Sequence, residues 1–159
     1  MTTTTTYSVL PIPAEALRSL RLTDDAGRPA VPYADPEGDE MLRCCLRSSV
    51  PGERIALVAY APLRRWAAET GAEPGAYDEQ GPVLIHAEEC PGWSGPGLPF
   101  THAQRVLRRY SAQGHIIGGQ LVGEDFSAAL DEAFSEPEVA SVHVRAVKYG
   151  CFLYEVRRA

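Results

Sequence analysis

Hydrophobic and polar residues alternate along much of the chain, and a period of two residues is typical of β-strands with one buried face. The strands predicted from this alternation cover residues 41–48, 54–61, 81–90, 104–110, 115–122, 139–147 and 151–157. Short turns containing glycine or proline separate several of them, which favours antiparallel hairpins. Residues 104–110 also allow a helix, because Val106, Leu107 and Tyr110 have helical spacing.

Three other segments have apolar residues at the spacing of short helices, at residues 14–20, 62–70 and 125–135. Pro13 and Pro62 suit the first turn of the first two helices, and Gly71 suits the end of the second. Residues 23–36 and 91–99 are rich in proline and glycine, and both are predicted to be loops.

Many strands, short connections and few helices predict an α+β domain. We expect one domain over residues 9–159, with two or three short helices and a mainly antiparallel sheet that is strongly curved or forms an open barrel. Residues 1–8, which begin with Met1 and five threonines, are expected to form a disordered N-terminus.

Charge and composition argue against two classes of function, nucleic-acid binding and membrane insertion. A net charge of −6 argues against a general nucleic-acid-binding surface. No apolar run approaches the roughly 18 residues of a membrane span, and the N-terminus lacks the basic start and apolar core of a signal peptide. We therefore expect a cytoplasmic protein without a membrane or nucleic-acid partner. In a reducing compartment Cys44, Cys45, Cys90 and Cys151 are expected to be free thiols, and their spacing matches no zinc-finger pattern.

The polar faces of three predicted strands carry candidate chemistry. Opposite an apolar face, these strands offer Arg43, Cys45 and Arg47; His86, Glu88 and Cys90; and His143 and Arg145. If the strands are neighbours, these side chains converge on one concave surface. A solvated sheet face is the alternative, because antiparallel sheets often have one wet face. The richness in His, Cys and Arg, and the nearby Gly- and Pro-rich loops, favour a site.

Cys45 is the candidate nucleophile, since flanking arginines on its own face would stabilise a thiolate. The alternative is a half-buried, inert cysteine. Cys44 lies between Leu42 and Leu46 in the sequence and is interpreted as a core residue. Adjacent residues of a regular strand point to opposite faces, so Cys44 and Cys45 are predicted not to share a site.

His86 is the candidate base, with Glu88 or Glu89 as its orienting carboxylate, and His143 is a second candidate. For both histidines, a structural hydrogen-bonding role is the alternative. A zinc site from His86, Cys90 and His143, completed by Glu88 or Cys45, is a further hypothesis. Because these ligands come from distant strands and form no dense motif, no metal is predicted.

Five segments are specific enough to compare with known families. They are Leu42-Arg-Cys-Cys-Leu-Arg47, Pro51-Gly-Glu-Arg-Ile-Ala-Leu-Val-Ala-Tyr-Ala-Pro62, the segment from Gly75 to Cys90, Val142-His-Val-Arg-Ala146 and Gly150-Cys-Phe152. Together they resemble a bacterial family catalogued as domain-of-unknown-function family 1203. The resemblance covers nearly the whole chain and implies a bacterial single-domain protein of this size. It implies no activity and assigns no residue a role.

Three functions remain as hypotheses. The first is a small cytoplasmic enzyme that acts on a small anionic metabolite by acid–base or thiol chemistry. Its catalytic residues would be Cys45, His86, Glu88 and His143, and its ligand-binding residues Arg43, Arg47 and Arg145. The second is a non-catalytic module that binds a small anion with the same arginines. The third is a structural or partner-binding protein. The sequence identifies no cofactor, substrate or oligomeric state.

Overall fold

A computed structural model describes residues 6–159. The elements in chain order are β1 (Tyr7–Leu10), α1 (Ala14–Leu20), β2 (Tyr33–Ala34), β3 (Arg54–Tyr60), α2 (Pro62–Thr70), a 3-10 turn (Gly75–Tyr77), β4 (Gly81–His86), β5 (Arg105–Tyr110), β6 (Ile116–Val122), α3 (Phe126–Phe134), β7 (Ser141–Ala146) and β8 (Phe152–Arg158). The α+β prediction with mainly antiparallel strands and three short helices is confirmed. No helix in this part of the chain is long and apolar enough to cross a membrane.

The strands divide between two antiparallel sheets. The large sheet has the order β1-β8-β7-β5-β6, and the small sheet has the order β2-β3-β4. One face of the large sheet packs against α3, where Phe134 and Leu130 meet Val142 and Val144 of β7. The opposite face carries His143, whose ring contacts Phe152. Phe152 belongs to a second hydrophobic core, which also contains residues of α1 and β3. This face of the large sheet is therefore turned toward α1 and the small sheet.

The two helices α1 and α2 have the predicted bounds, and their ends follow local rules. Pro62 occupies the first position of α2, where a missing N–H costs no hydrogen bond. Gly71 ends α2 in the left-handed conformation, with φ at +77°, and donates its N–H to the Ala67 carbonyl. The helical alternative for residues 104–110 is wrong, because β5 exchanges backbone hydrogen bonds with both β6 and β7.

The strand predicted at residues 41–48 is wrong: this segment is a closed loop, which we call the thiol loop (41–48). Met41 and Ser48 form a single bridge at its base. Inside the loop, the N–H of Leu46 donates to Leu42 and the N–H of Leu42 donates to Arg47. Leu46 has φ at +57°, which a regular strand excludes. The alternating apolar residues therefore belong to a tight turn that is closed by its own backbone hydrogen bonds.

The structure contains two short strands, β1 and β2, that the sequence pattern does not predict. β1 pairs with the final strand β8, and the Tyr7 ring stacks on Phe134 with centroids 5.4 Å apart. Tyr7 and Ser8 therefore lie in a strand, although the sequence favours disorder for residues 1–8. The first five of those residues lie outside the described part of the chain. β2 pairs with β3 despite the surrounding prolines.

Candidate functional site

The thiol loop is held against β4 and β8 by backbone and arginine hydrogen bonds. The N–H of Arg43 donates to the Leu84 carbonyl at 2.9 Å. The Arg43 guanidinium donates to the carbonyls of Phe152, at 2.8 Å, and of Met41. Burial lowers the pKa of Arg43 to about 10. Arg43, predicted to bind a ligand, is thus buried and occupied by main-chain carbonyls that fix the loop.

This placement gathers three thiols and one imidazole, which we call the thiol cluster: Cys44, Cys45, His86 and Cys90. One side-chain atom of each residue lies within 4.8 Å of the others. The two adjacent sulfurs are 3.9 Å apart, and Nδ1 of His86 lies 3.4 Å from the first and 3.8 Å from the second. The prediction that Cys44 and Cys45 cannot share a site is wrong, because they lie in a turn.

The end of β4 supplies the other half of the thiol cluster. The strand predicted to reach residue 90 ends at His86, and the chain then bends through exposed or half-buried residues to Cys90. Glu88 is on the outside of this bend and accepts a hydrogen bond from Arg54 at 3.0 Å. Cys90 therefore returns to the cluster while Glu88, a predicted catalytic residue, remains in a solvent-exposed ion pair.

Glu53 orients His86, and sequence reasoning missed it. Its Oε2 lies 2.8 Å from His86 Nε2, and its two oxygens accept from Arg47 at 3.2 and 2.9 Å. A carboxylate only accepts hydrogen bonds, so in the neutral imidazole Nε2 carries the proton and the Nδ1 lone pair faces the sulfurs. The Arg47 hydrogen bond, followed by the Val50 N–H and then His86, lowers the pKa of Glu53 to about 2. Glu53 directly precedes β3, whose Ile55 pairs with His86, so only the register of this strand pair identifies it.

The two adjacent thiols are not equivalent. Cys44 donates its S–H to the sulfur of Cys45, and this hydrogen bond is the largest influence on both thiols. It lowers the pKa of Cys45 to about 6 and raises that of Cys44. The sulfur of Cys44 in turn accepts the backbone N–H of His86 at 3.2 Å. A thiolate at Cys45 was predicted from its arginines, but the neighbouring thiol contributes more than Arg47.

Two arginines lie beside the thiol cluster. Nη2 of Arg47 is 3.3 Å from His86 Nε2, and its charge is matched by Glu53. Nε of Arg21 donates to the His86 carbonyl at 3.1 Å, and its Nη2 is buried without a hydrogen-bond partner among residues 6–159. No pattern in the sequence indicates Arg21, which follows directly after α1 and reaches the site only in the folded chain.

His143 and Arg145 are not members of the thiol cluster. Arg145 donates to the Gly150 carbonyl at 2.8 Å and lies 3.5 Å from Glu79. His143 packs on Tyr110 with ring centroids 4.3 Å apart. Burial, with smaller contributions from nearby arginines, lowers the pKa of His143 to about 3. The structure therefore separates the predicted site residues into two groups.

A cavity of about 890 Å³ lies between the thiol cluster and His143. It lies between α1, α2, the segment after β4 and the open face of the large sheet. Cys44 and Cys90 contribute to its wall on one side, and His143 contributes from β7. The sequence predicts that three polar strand faces converge on one surface. In the structure, residues of the thiol cluster and His143 instead line different parts of this cavity.

The comparison with protein families gives one match. A family model described as "Protein of unknown function (DUF1203)" matches residues 40–158, and the chain belongs to this family. The matched region includes the whole thiol cluster and Glu53. No curated protein and no solved structure matches the chain.

Proposed function

We propose that the protein binds a divalent transition-metal ion, with Zn²⁺ the best match, at Cys44, Cys45, His86 and Cys90. The observation that carries the proposal is the convergence of three sulfurs and one imidazole nitrogen within 4.8 Å in a mostly buried position. Three cysteines and one histidine are one of the ligand sets of tetrahedral zinc.

The distances fit a tetrahedron around zinc. With Zn–S near 2.3 Å and Zn–N near 2.0–2.1 Å, tetrahedral angles place two sulfurs about 3.8 Å apart and a sulfur and nitrogen about 3.6 Å apart. The cluster has 3.9 Å between Cys44 and Cys45, and 3.4 and 3.8 Å from these sulfurs to His86. Cys44, Cys45 and His86 therefore have nearly the spacing that the ion needs, and Cys90 lies within 4.8 Å of each of them.

The surroundings suit a bound ion as well. Metal-ligating histidines commonly donate their second N–H to a carboxylate, which fixes the ring and strengthens the ligand, and Glu53 accepts in this position. Three thiolates around a dication carry one net negative charge. Arg21, with a hydrogen bond to the His86 carbonyl and a buried Nη2, supplies positive charge beside it. Both features support the metal in preference to an unligated thiol group.

The test is metal analysis of protein purified without an affinity tag, after incubation with zinc and removal of excess by gel filtration. We expect about one zinc per chain in the wild type. Cys44→Ser and Cys90→Ser should each lose most of it. Cys151→Ser is the matched control, because Cys151 is a free, half-buried cysteine outside the cluster. A wild type holding far less than one equivalent, or equal loss in Cys151→Ser, would contradict the proposal.

A thiol enzyme acting on a small anionic metabolite is the second candidate. The observation in its favour is the series Cys45, His86 and Glu53, in which a nucleophile, a base and an orienting carboxylate follow one another. In this function the Cys45 proton would pass to His86 Nδ1. The predicted arginine clamp for the anion has less support, because Arg43 and Arg145 donate to carbonyls and Arg47 pairs with Glu53.

Alkylation separates the two candidates. Iodoacetamide labelling, assigned to each cysteine by mass spectrometry, is compared with and without added zinc. A metal site predicts that zinc protects Cys44, Cys45 and Cys90 together while Cys151 keeps its rate. A thiol enzyme predicts fast labelling of Cys45 alone, insensitive to zinc and slowed by His86→Ala. Equal rates at all four cysteines in both conditions would count against both functions.

A further inference from the structure

The cavity beside His143 has the wall of a ligand-binding site. Its volume of about 890 Å³ falls within the range of small-molecule sites. Aromatic rings from four separate elements and from the loop after β4 line it, contributed by Tyr60, Trp66, Trp93, Tyr110 and Phe152. Flat apolar rings on several sides of one space favour a planar aromatic occupant.

His143 contributes to this wall and contains a buried polar atom without a partner in the described part of the chain. The residue is 3% exposed, and its Nδ1 is buried with no hydrogen-bond partner among residues 6–159. Its ring is fixed between Tyr110, at 4.3 Å, and the edge of Phe152, at 5.1 Å. A buried polar atom without a partner costs free energy, so a ligand that supplies one gains affinity and specificity. Such a group in an aromatic wall is a polar anchor for a bound molecule.

The two arginines of the cavity wall are already paired with carboxylates. Arg65 forms an ion pair with Asp25 at 2.8 Å. Arg157 pairs with Glu155 at 2.9 Å and with Glu69 at 3.2 Å. An anionic ligand would have to separate these pairs or be buried without a counter-charge, and both are costly. The wall therefore favours a neutral molecule.

We propose that this cavity binds a neutral, planar aromatic molecule bearing a hydroxyl group, with the aromatic rings as its walls and His143 as the hydrogen-bond partner of the hydroxyl. A hydroxyl both donates and accepts, so it complements either nitrogen of a neutral imidazole. Burial keeps His143 neutral, since its pKa lies near 3. No part of this inference uses the metal, so the two proposals fail or succeed separately.

Three probes with the same ring system test the ligand class by equilibrium dialysis at pH 7. They are 2-naphthol, which is neutral and carries a hydroxyl, naphthalene, which lacks it, and 2-naphthoate, which is an anion. We expect saturable binding of 2-naphthol, weaker binding of naphthalene by up to about tenfold, as one hydrogen bond allows, and still weaker binding of 2-naphthoate. Absence of saturable 2-naphthol binding, or tighter binding of 2-naphthoate, would overturn the proposal.

Substitution then assigns the hydroxyl contact. His143→Phe should retain naphthalene binding, which also reports an intact cavity, and lose the preference for 2-naphthol. The control His102→Phe changes an exposed histidine away from the cavity and should keep the preference. A preference that persists in His143→Phe contradicts the assignment. If that variant does not fold, Ala68→Trp decides. Ala68 is exposed at the cavity rim, so the indole should weaken all three probes, and unchanged 2-naphthol affinity would refute the site.

Discussion

His86 and His143 are both buried at strand positions, with 8% and 3% exposure, yet their surroundings differ in kind. Nε2 of His86 meets Glu53, and Nδ1 faces two sulfurs. His143 lies among aromatic rings, and its Nδ1 has no partner among residues 6–159. The first environment positions an imidazole for coordination or proton transfer, and the second keeps it neutral for a ligand hydroxyl. The same residue type thus acquires its chemistry from groups that are distant in sequence.

The largest effect expected from this comparison concerns metal affinity. His86→Ala removes one of four proposed ligands, and we expect the dissociation constant for Zn²⁺ to rise by more than about hundredfold, beyond the loss caused by removing an outer partner. Competition with a chromophoric chelator measures it. His143→Phe should leave this constant unchanged. Similar losses in both variants would mean that the two histidines are not separate in function.

The next effect tests the carboxylate behind His86. Glu53→Ala removes the acceptor that fixes the ring, and we expect about 10- to 100-fold weaker zinc binding. Glu88→Ala is the matched control, because Glu88 is an exposed glutamate paired with Arg54. The same chelator competition compares the two. Should Glu88→Ala weaken binding as much as Glu53→Ala, the orienting role would be lost.

His143 should appear in the pH dependence of stability. Its folded pKa near 3 lies below the ordinary 6.5, so between these values the unfolded chain binds a proton that the folded chain does not. Stability conferred by the neutral imidazole is present above pH 6.5 and is lost as the pH falls toward 3. The contribution to the slope is at most about 1.4 kcal/mol per pH unit.

Urea unfolding at a series of pH values measures this slope in the wild type and in His143→Phe. The charged and titratable groups around the ring include Arg108, Arg145, Arg157 and Tyr110, together with Glu155 opposite it on β8, and they remain in both proteins. The variant should therefore show a shallower loss of stability on acidification. Parallel curves for the two proteins would show that His143 does not titrate in this way.

The smallest effect is expected at Glu88. Its ion pair with Arg54 is exposed on both sides, and such pairs contribute about 0 to 1 kcal/mol. Glu88→Gln should change the free energy of unfolding within this range in the same urea experiment. A loss of several kcal/mol would indicate that Glu88 has a buried role that the fold does not show.

Local rules predicted the elements of this fold better than they predicted its site. Helices α1 and α2 have the predicted bounds because proline, glycine and apolar spacing act within a few residues. His86 and Cys45 were both predicted site residues, and the structure brings them together. Cys44 is a core residue, as predicted, but it also belongs to the thiol cluster, which the strand-like alternation of residues 41–48 did not indicate. Their hydrogen bonds close a loop instead, which periodicity alone cannot distinguish.

The partners of the site were harder to predict because they depend on tertiary contacts. Glu53 reaches His86 through the pairing of β3 with β4, and Arg21 arrives from the end of α1. His143 and His86 were placed in one set because each lies on the polar side of a predicted strand. They belong to different sheets, and sheet membership is set by long-range pairing.

The thiol cluster has a consequence for the stability of the folded chain, because it joins residues that are distant in sequence. Cys45 and His86 are 41 positions apart, and they connect the thiol loop to the end of β4. An ion shared by both would be a reversible cross-link, and closing a long segment in this way removes conformational freedom from the unfolded chain. The resulting stabilisation would act on the small sheet, because its strand β3 lies between Cys45 and His86 in the chain. The proposed metal centre would then stabilise the small sheet, and this stabilisation would be lost when free metal is scarce.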